Sequence, residues 1–426
     1  MSADYRPMWQ KLGLNLQLHD ELLKGLESAY QDIFLTQKNR PQEMSYLDFV
    51  MSEVHGLRIK ELQDARDAGR KVIGAFCVFV PEEIVLAADA ILVGLCTGAD
   101  FVIEDVEKIL PRNTCSLIKS AFGFKLSKVC PFLEASDMVV GENTCDGKKK
   151  SYEQLRELIP NLYVMDLPQQ KTTSGRHLLL REYQLFVRAI EQLTGVEITA
   201  DRLRHGIELT NNKRQALLRL SKLRAAEPAP ISGLDALLIN QVAFYDDPLR
   251  FTAAINNLCD ELEERIEQKT GVFPVGSPRV LLSGCPMAVP NWKIPALIER
   301  SGAVVVAEEA CVGERGWRNQ TATAAHYSVD ELLEAIVDRY FQIDCAVFTP
   351  NPDREQHVVE MARDYRADGI IHYSLQFCQP YIIESMPMEQ RLNDRGYNFL
   401  RLETDYSAED SGQLQTRIEA FIEIIS

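Results

Sequence analysis

The chain has 426 residues, of which 46% are hydrophobic and 25% charged, and its formal net charge is −16. This length is too great for one hydrophobic core and predicts two or three domains. The composition is that of an ordinary globular protein, and the negative charge argues against binding to nucleic acid or to an anionic membrane, since both require a basic surface.

The cellular compartment is predicted from the N-terminus, the apolar stretches and the cysteines. The opening residues MSADYRPMWQKLGLNLQLHDELL are polar and lack the apolar run of a secretory signal. The longest apolar stretch, residues 84–95, contains Asp89 and is too short to span a bilayer. We therefore expect a cytoplasmic protein. In that setting ten cysteines are not a disulfide framework, because the cytosol keeps thiols reduced.

Residues 1–65 are predicted to form a helical N-terminal extension, a cap or a dimer arm, because LHDELLKGLESAYQDIF has helical periodicity. From residue 66 to 175, apolar runs alternate with helical segments. The runs predicted as strands are 71–80, 91–96, 137–145 and 161–169. This alternation predicts a first α/β domain with a parallel, doubly wound, flavodoxin-like sheet.

Residues 176–275 are predicted to form a helical connecting region that is rich in charge and interrupted by EPAPISG at 227–233. Cys259 lies inside its last helix among charged residues, and we expect it to serve packing. Residues 276–426 repeat the alternating plan, with predicted strands at 279–285, 303–311, 369–378 and 397–406. The fold class is therefore α/β, with two doubly wound domains joined by a helical segment.

An apolar run that ends on a cysteine recurs in both domains. These runs end at Cys77, Cys96, Cys145, Cys285, Cys311 and Cys378. Right-handed crossovers place the carboxyl ends of parallel strands on one edge of a sheet, where ligands bind. Cys115 begins a helix on that edge, and Cys345 precedes a helix that starts there. We therefore predict that thiols from both domains meet in one cleft and hold a metal.

The type of metal centre follows from the surroundings of the thiols. Helix N-termini lower thiol pKa and supply N–H donors, which suits an anionic iron–sulfur cluster. Zinc is the main competitor, but paired C-x-x-C ligands at zinc spacing are absent from the sequence. Packing of buried free thiols is the alternative for each single cysteine. Cys130 is expected near the far edge of the sheet, because about 15 helical residues after Cys115 descend roughly 20 Å.

Six motifs resemble the D-component family of 2-hydroxyacyl-CoA dehydratases and benzoyl-CoA reductases, and the resemblance extends from about residue 70 to 426. The motifs are LPRNTCSLIKSAFG (110–123), VVGENTCDGKKK (139–150), LSGCPM (282–287), EEACVGER (308–315), LQFCQPYIIES (375–385) and ETDYSAEDSGQLQTRIEAF (403–421). The additional cysteines Cys96, Cys311 and Cys345 make the chain more similar to the double-cubane branch of that family.

The resemblance implies a ligand set. One [4Fe–4S] cubane would be held by Cys115, Cys145 and Cys378. In the double-cubane branch a bridging sulfide joins a second cubane to the first, giving [8Fe–9S]. The second cubane would be held by Cys96, Cys311 and Cys345, with Cys285, Cys130 and Cys77 in reserve. A single [4Fe–4S] cluster is the alternative.

The resemblance also implies a function and partners. The chain would be an ATP-dependent, low-potential reductase component that reduces a small molecule and works as a homodimer. Electrons would come from a separate ATP-hydrolysing iron–sulfur activator, since this chain has no Walker A sequence. One alternative is a 2-hydroxyacyl-CoA dehydratase subunit with one [4Fe–4S] cluster that binds an acyl-CoA. The other is a non-catalytic electron-transfer protein.

Other residues carry weaker expectations. Glu384 follows Cys378 by six residues and is predicted either to donate protons near the cluster or to form an ion pair. Residues 148–150, KKK, are either a solvated basic run or a contact for an anionic substrate or the activator. Asp405 and Tyr406 end the last strand on the cleft edge, whereas His372 is expected in the core.

Overall fold

The N-terminal part of the chain is helical, as predicted. The computed structural model describes residues 4–101 and 103–426, so residues 1–3 of the predicted extension lie outside the described residues. The first helices are α1 (Arg6–Lys11), α2 (Leu16–Ile33), α3 (Met44–Ser52) and α4 (Leu57–Asp67). Their buried side chains, among them Tyr30, Met44 and Leu47, pack into the same core as the second sheet. The extension is therefore an integral part of the folded protein.

The first sheet has four parallel strands, and its order is β2-β1-β3-β4. The strands are β1 (Val72–Ala75), β2 (Ile91–Gly94), β3 (Met138–Glu142) and β4 (Leu162–Met165). The helices that alternate with them are α5 (Glu82–Ala87), α6 (Ile103–Val106), α7 (Ser116–Leu126), α8 (Pro131–Ala135) and α9 (Asp146–Leu158). Every residue of β1 and β3 is buried, as in parallel strands that helices cover on both faces.

Four helices connect the two sheets: α10 (Thr173–Thr194), α11 (Ala200–Leu223), α12 (Gly233–Val242) and α13 (Pro248–Glu267). Helix α12 was not predicted from the sequence. All ten of its residues are buried, so the sequence lacks the polar face that marks a surface helix. Helix α11 packs against α5 and α13, and the connecting helices are thus part of the protein core.

The second sheet repeats the topology of the first, with the order β6-β5-β7-β8 and all strands parallel. Its strands are β5 (Arg279–Gly284), β6 (Val304–Glu309), β7 (Gly369–Leu375) and β8 (Asn398–Thr404). The helices are α14 (Lys293–Arg300), α15 (Glu314–Trp317), α16 (Val329–Phe341), α17 (Pro352–Asp364), α18 (Gln379–Asp394) and α19 (Ser411–Ile425). The predicted fold class, two parallel-sheet α/β domains, is confirmed.

The two domains share hydrophobic cores. Ile336 and Tyr340 of α16 pack with Leu179 and Tyr183 of α10 in a core that also contains residues of β1 and β3. This packing fixes the carboxyl edges of the two sheets relative to each other. Within residues 4–101 and 103–426, none of the helices combines the length and the apolar character needed to cross a membrane.

Candidate metal centre

A cavity of about 1250 Å³ lies at the carboxyl edges of the two sheets. Ala75 and Gly94 line it at the ends of β1 and β2, and Leu375 lines it at the end of β7. In parallel sheets of this order, the chain adds strands first on one side of the first strand and then on the other. Ligands bind beside the first strand, where the strand order reverses. The cavity is somewhat larger than the roughly 300–1,000 Å³ of ordinary small-molecule sites, so it has room for more than one bound group.

Eight of the ten cysteines line this cavity. They are Cys77, Cys96, Cys115, Cys145, Cys285, Cys311, Cys345 and Cys378. Six of them follow the carboxyl end of a strand within three residues, and Cys115 is the N-cap residue of α7. The predicted convergence of thiols from both domains in one cleft is therefore what the structure contains.

The other two cysteines lie outside the cavity lining. Cys130 is the N-cap residue of α8, which precedes β3, and it is buried in a hydrophobic core that includes residues of the first sheet. Cys259 lies within α13 and packs among apolar residues. Burial raises the pKa of Cys130 to about 11 and that of Cys259 to about 12. Both are inert packing thiols in this structure.

The first thiol group consists of Cys115, Cys145, Cys285 and Cys378. The Cys378 thiol lies close to both Cys115 and Cys285 and interacts with each. The Leu375 N–H donates to Cys285 Sγ at 3.4 Å. Cys145 is the N-cap residue of α9, and its Sγ accepts from the Lys148 N–H at 3.5 Å. The group thus joins helix starts of the first domain with strand ends of the second.

The second thiol group consists of Cys77, Cys311 and Cys345. Cys345 and Cys311 lie close enough for their thiols to interact, and Cys77 is close enough to act electrostatically on Cys311. Arg315 Nη1 donates to Cys311 Sγ at 3.5 Å, and the Tyr381 hydroxyl lies 3.8 Å from Cys345 Sγ. The interaction with Cys345 lowers the pKa of Cys311, burial opposes this, and the Arg315 charge adds to the lowering.

Cys96 differs from the other predicted ligands. Its Sγ donates to the Phe76 carbonyl oxygen at 2.6 Å, and burial raises its pKa to about 11. Its side chain lies near the Lys148 ammonium and near Tyr406. The structure therefore brings five of the six predicted ligands into the two thiol groups. Two reserve residues, Cys77 and Cys285, lie in the groups with them.

The three lysines of the KKK run have different surroundings. Lys149 pairs with Asp146 and Lys150 with Glu153 on the exposed face of α9. The Lys148 side chain turns inward, lines the cavity and forms an ion pair with fully buried Glu142. Burial alone would lower the pKa of Lys148, but the charges of Glu142, Tyr152 and nearby thiols raise it well above its usual value. The run therefore contains one buried cation and two solvated ones.

Glu384 lines the cavity and takes part in an ion pair. Its carboxylate is bound by the Arg354 guanidinium and accepts from Asn351 Nδ2 at 2.8 Å. The predicted ion pair is observed, and proton donation by Glu384 stays a prediction. His372 is fully buried in β7, 3.1 Å from Arg354, and burial lowers its pKa well below the usual value. It is a core residue, as expected.

Tyr406 carries a buried polar atom that lacks a partner. Among the residues that the structure describes, its hydroxyl oxygen forms no hydrogen bond. Burial raises the pKa of Tyr406 well above its usual value, and Tyr373, Cys115, Cys285 and Cys96 raise it further because they lie nearby. An unsatisfied buried hydroxyl costs free energy. Asp405, the other residue predicted at this edge, accepts from the Ser407 N–H, and both Asp405 and Tyr406 are absent from the cavity lining.

These residues fit an iron–sulfur cluster by the chemistry of their donors. Cysteine thiolates are the ligands that such clusters require, and the unpartnered Tyr406 hydroxyl lies near Cys115, Cys285 and Cys96. Over residues 4–101 and 103–426, three His, Cys, Asp or Glu side chains do not converge on a single metal ion. This spacing is compatible with a cluster, because a cluster inserts its own iron and sulfide between the thiols.

Sequence reasoning missed the charged residues beside the second thiol group. Arg315 and Glu309 belong to the motif EEACVGER, but only its cysteine was singled out. Both side chains are at most 2% exposed. A glutamate at the end of an apolar strand, followed by an arginine six residues later, is a signal for a buried ion pair. The partner Tyr381 comes from α18, and the sequence offers no signal for that contact.

Comparison with known proteins gives consistent matches over most of the chain. Residues 77–425 match the family model described as 2-hydroxyglutaryl-CoA dehydratase, D-component. A protein of Escherichia coli (strain K12) named as a dehydratase subunit, YjiM, is 36% identical over 380 residues, which is 88% of this chain and 96% of that protein.

Two further relatives have more specific names. The (R)-phenyllactyl-CoA dehydratase beta subunit of Clostridium sporogenes is 26% identical over 368 residues, covering 85% of this chain and 94% of that protein. A benzoyl-CoA reductase subunit of Thauera aromatica is 25% identical over 353 residues, covering 82% of this chain and 88% of that protein. The similarity thus extends over both α/β domains and the helices between them.

Proposed function

Because this chain belongs to the 2-hydroxyglutaryl-CoA dehydratase D-component family, we propose that it is the electron-accepting component of an ATP-dependent reductase. It would receive low-potential electrons, one at a time, from a separate ATP-hydrolysing iron–sulfur activator and pass them to a small molecule. The observation that carries this proposal is the convergence of eight cysteines from both domains on one cavity. When bound, an iron–sulfur cluster would supply the electron-transfer chemistry.

The presence of two thiol groups supports a double-cubane cluster. The ligands in this proposal are those implied by the family motifs: Cys115, Cys145 and Cys378 for one half, and Cys96, Cys311 and Cys345 for the other. The proximity of Cys115 to Cys378 and of Cys311 to Cys345 supports this pairing. Cys285 is an alternative ligand for the first half and Cys77 for the second, because each lies within the corresponding thiol group.

The protein side chains would prepare the cavity for electron transfer in three ways. Apolar side chains such as Phe76, Leu117 and Phe348 line the walls and limit access of water. Backbone N–H groups of Leu375 and Lys148 donate to thiol sulfurs. The Lys148 ammonium holds a proton beside the cavity, where a reduced substrate would need one, while Glu142 compensates its charge.

A single-cluster dehydratase subunit is the second candidate. It is favoured by the match to the (R)-phenyllactyl-CoA dehydratase beta subunit and by a cavity that leaves room for a substrate beside one cluster. The two candidates differ in cluster content: about eight irons per chain for the double cubane and about four for one [4Fe–4S] cluster.

The proposed role as electron acceptor is tested with the partner present. Protein purified without oxygen is mixed with the activator, a reductant and ATP, and electron paramagnetic resonance spectra are recorded before and after the addition of ATP. We expect a reduced-cluster signal that requires both ATP and the activator, followed by consumption of a reducible small molecule. Iron-loaded protein whose spectrum is unchanged by activator and ATP would contradict the role.

A further inference from the structure

The two thiol groups differ in the donors that contact their sulfurs. In the first group the donors from outside the group are backbone N–H groups, Leu375 to Cys285 and Lys148 to Cys145. In the second group a guanidinium reaches a sulfur directly, from Arg315 Nη1 to Cys311 Sγ at 3.5 Å. Charge-assisted hydrogen bonds are roughly twice as strong as neutral ones. The two ends of the cavity are therefore electrostatically unequal.

Arg315 is held rigidly in this position. Its Nε donates to Glu309 Oε1 at 2.8 Å, and its Nη2 donates to the Glu309 carbonyl oxygen at 3.1 Å. Its Nη1 also donates to the Tyr381 hydroxyl, and the guanidinium carbon lies 5.5 Å from the centre of the Tyr381 ring. Because all five donors of a guanidinium are fixed in one plane, these contacts fix the direction of the bond to Cys311.

Of the two arginines beside the second thiol group, Arg315 contacts a sulfur and Arg354 contacts other groups. Arg354 is fully buried and pairs with Glu309 at 3.2 Å and with Glu384. Its guanidinium carbon lies 4.8 Å from the Tyr381 ring centre. Thus two arginines face two glutamates here, and the contacts of Arg354 are to carboxylates, Ser283 and His372. Lys148, whose charge acts on Cys77 of the second group and on Cys145 of the first, directs its ammonium to Glu142 and contacts neither sulfur with it.

We propose that Arg315 is a positioning residue that makes the second thiol group the preferred site for an added electron. Its hydrogen bond to Cys311 and its fixed positive charge stabilise the negative charge that arrives with the electron. A cluster half held by Cys311 and Cys345 would therefore be reduced before a half held by Cys115 and Cys378. The electron comes from the activator, and no bond forms or breaks in this step. The inference rests on the proposed double-cubane function.

The test is a potentiometric titration of the iron-loaded protein, followed by electron paramagnetic resonance, with Arg315→Gln, Arg315→Lys and the wild type. Glutamine removes the charge of Arg315. Glu309 still forms its ion pair with Arg354 and accepts a hydrogen bond from the Ser283 hydroxyl at 2.6 Å. We expect Arg315→Gln to lower the ratio of reduced to oxidised cluster in the first-reduced half about tenfold at a fixed potential, which equals about 59 mV for one electron. Arg315→Lys should recover part of this shift.

A matched control is the ion pair of Glu308, which precedes Glu309 on β6. Arg224 pairs with Glu308 at 2.6 Å and is equally buried, but on the opposite face of the second sheet. The double substitution Arg224→Gln with Glu308→Gln should leave the potentials unchanged. If Arg315→Gln does not fold, Tyr381→Phe, which removes only one hydroxyl from Cys345 and Arg315, should shift the same half in the same direction.

The outcomes separate this inference from the proposed function. Iron-free protein, or protein with one cubane, would contradict the double-cubane function itself. A full iron complement with potentials that are the same in wild type, Arg315→Gln and Tyr381→Phe would overturn the role of Arg315 alone. The role of Arg315 would also be overturned if the Arg224–Glu308 control shifted the potentials as much as Arg315→Gln does.

Discussion

Removal of the Lys148 ammonium should destabilise the protein strongly, because it leaves the Glu142 carboxylate buried without a counter-charge. The Lys148 side chain is 14% exposed and that of Glu142 is 0% exposed. Breaking such a buried pair by removing one partner costs about 3–5 kcal/mol. With a urea slope of about 3 kcal/mol per M, the unfolding midpoint of Lys148→Met should fall by roughly 1–1.7 M.

The chain offers its own control in the same lysine run. Lys150 pairs with Glu153, but the two side chains are 70% and 65% exposed, so Lys150→Met should unfold at the wild-type urea concentration. The double variant Lys148→Met with Glu142→Gln should regain much of the loss, because no charge is left buried. A Lys148→Met midpoint equal to that of Lys150→Met would refute the reasoning.

The pH dependence of this effect has a defined sign. Burial raises the pKa of Glu142 above its usual value even with Lys148 present, and loss of Lys148 raises it further. A carboxyl whose folded pKa is raised contributes stability that is fully present below its unfolded pKa of about 4.3 and is lost as pH rises through the folded pKa. The penalty of Lys148→Met should therefore be smaller at pH 5 than at pH 8.

Three further predictions concern the thiols, the unpartnered hydroxyl and a second buried carboxyl. Cys345→Ala should lower the iron content by about half, whereas Cys130→Ala should leave it unchanged, and equal iron in both variants would remove Cys345 from the ligand set. Tyr406→Phe should raise the free energy of unfolding of the cluster-free protein by about 1–3 kcal/mol, since an unsatisfied hydroxyl is lost; destabilisation of that form would show that the hydroxyl has a partner. Burial raises the pKa of Glu299 to about 8, so its ionisation should lower wild-type stability between about pH 5 and pH 8, and urea titrations of Glu299→Gln should show a smaller slope over that range; an unchanged slope would contradict the raised pKa.

Much of the fold follows from the sequence because strands buried on both faces are continuous apolar runs. All eight strands coincide with predicted runs, and the repeated plan of the two domains appears as the same strand order in both sheets. Helix α12 was missed because a helix buried on every side has no amphipathic pattern. The family resemblance of the cysteine-containing motifs is confirmed by the match over residues 77–425.

The candidate site was predictable in position but not in detail. Strand direction alone places Cys77, Cys145 and Cys311 at the carboxyl edge of their respective sheets, and all three line the cavity. The grouping of the thiols depends on side-chain directions and on how the two sheets face each other, which no local pattern encodes. For the same reason the contact from Arg315 to Cys311 was not predicted, since it requires Glu309 and Tyr381 to converge from a strand and a distant helix.

The central claim, that the cavity between the two sheets holds an iron–sulfur double cubane, is tested most directly by the iron content of protein purified without oxygen. We predict about eight irons per chain, with about half of them lost in Cys311→Ala. About four irons per chain that are unaffected by Cys311→Ala would contradict the double cubane, and protein purified without iron would contradict an iron–sulfur centre of either kind.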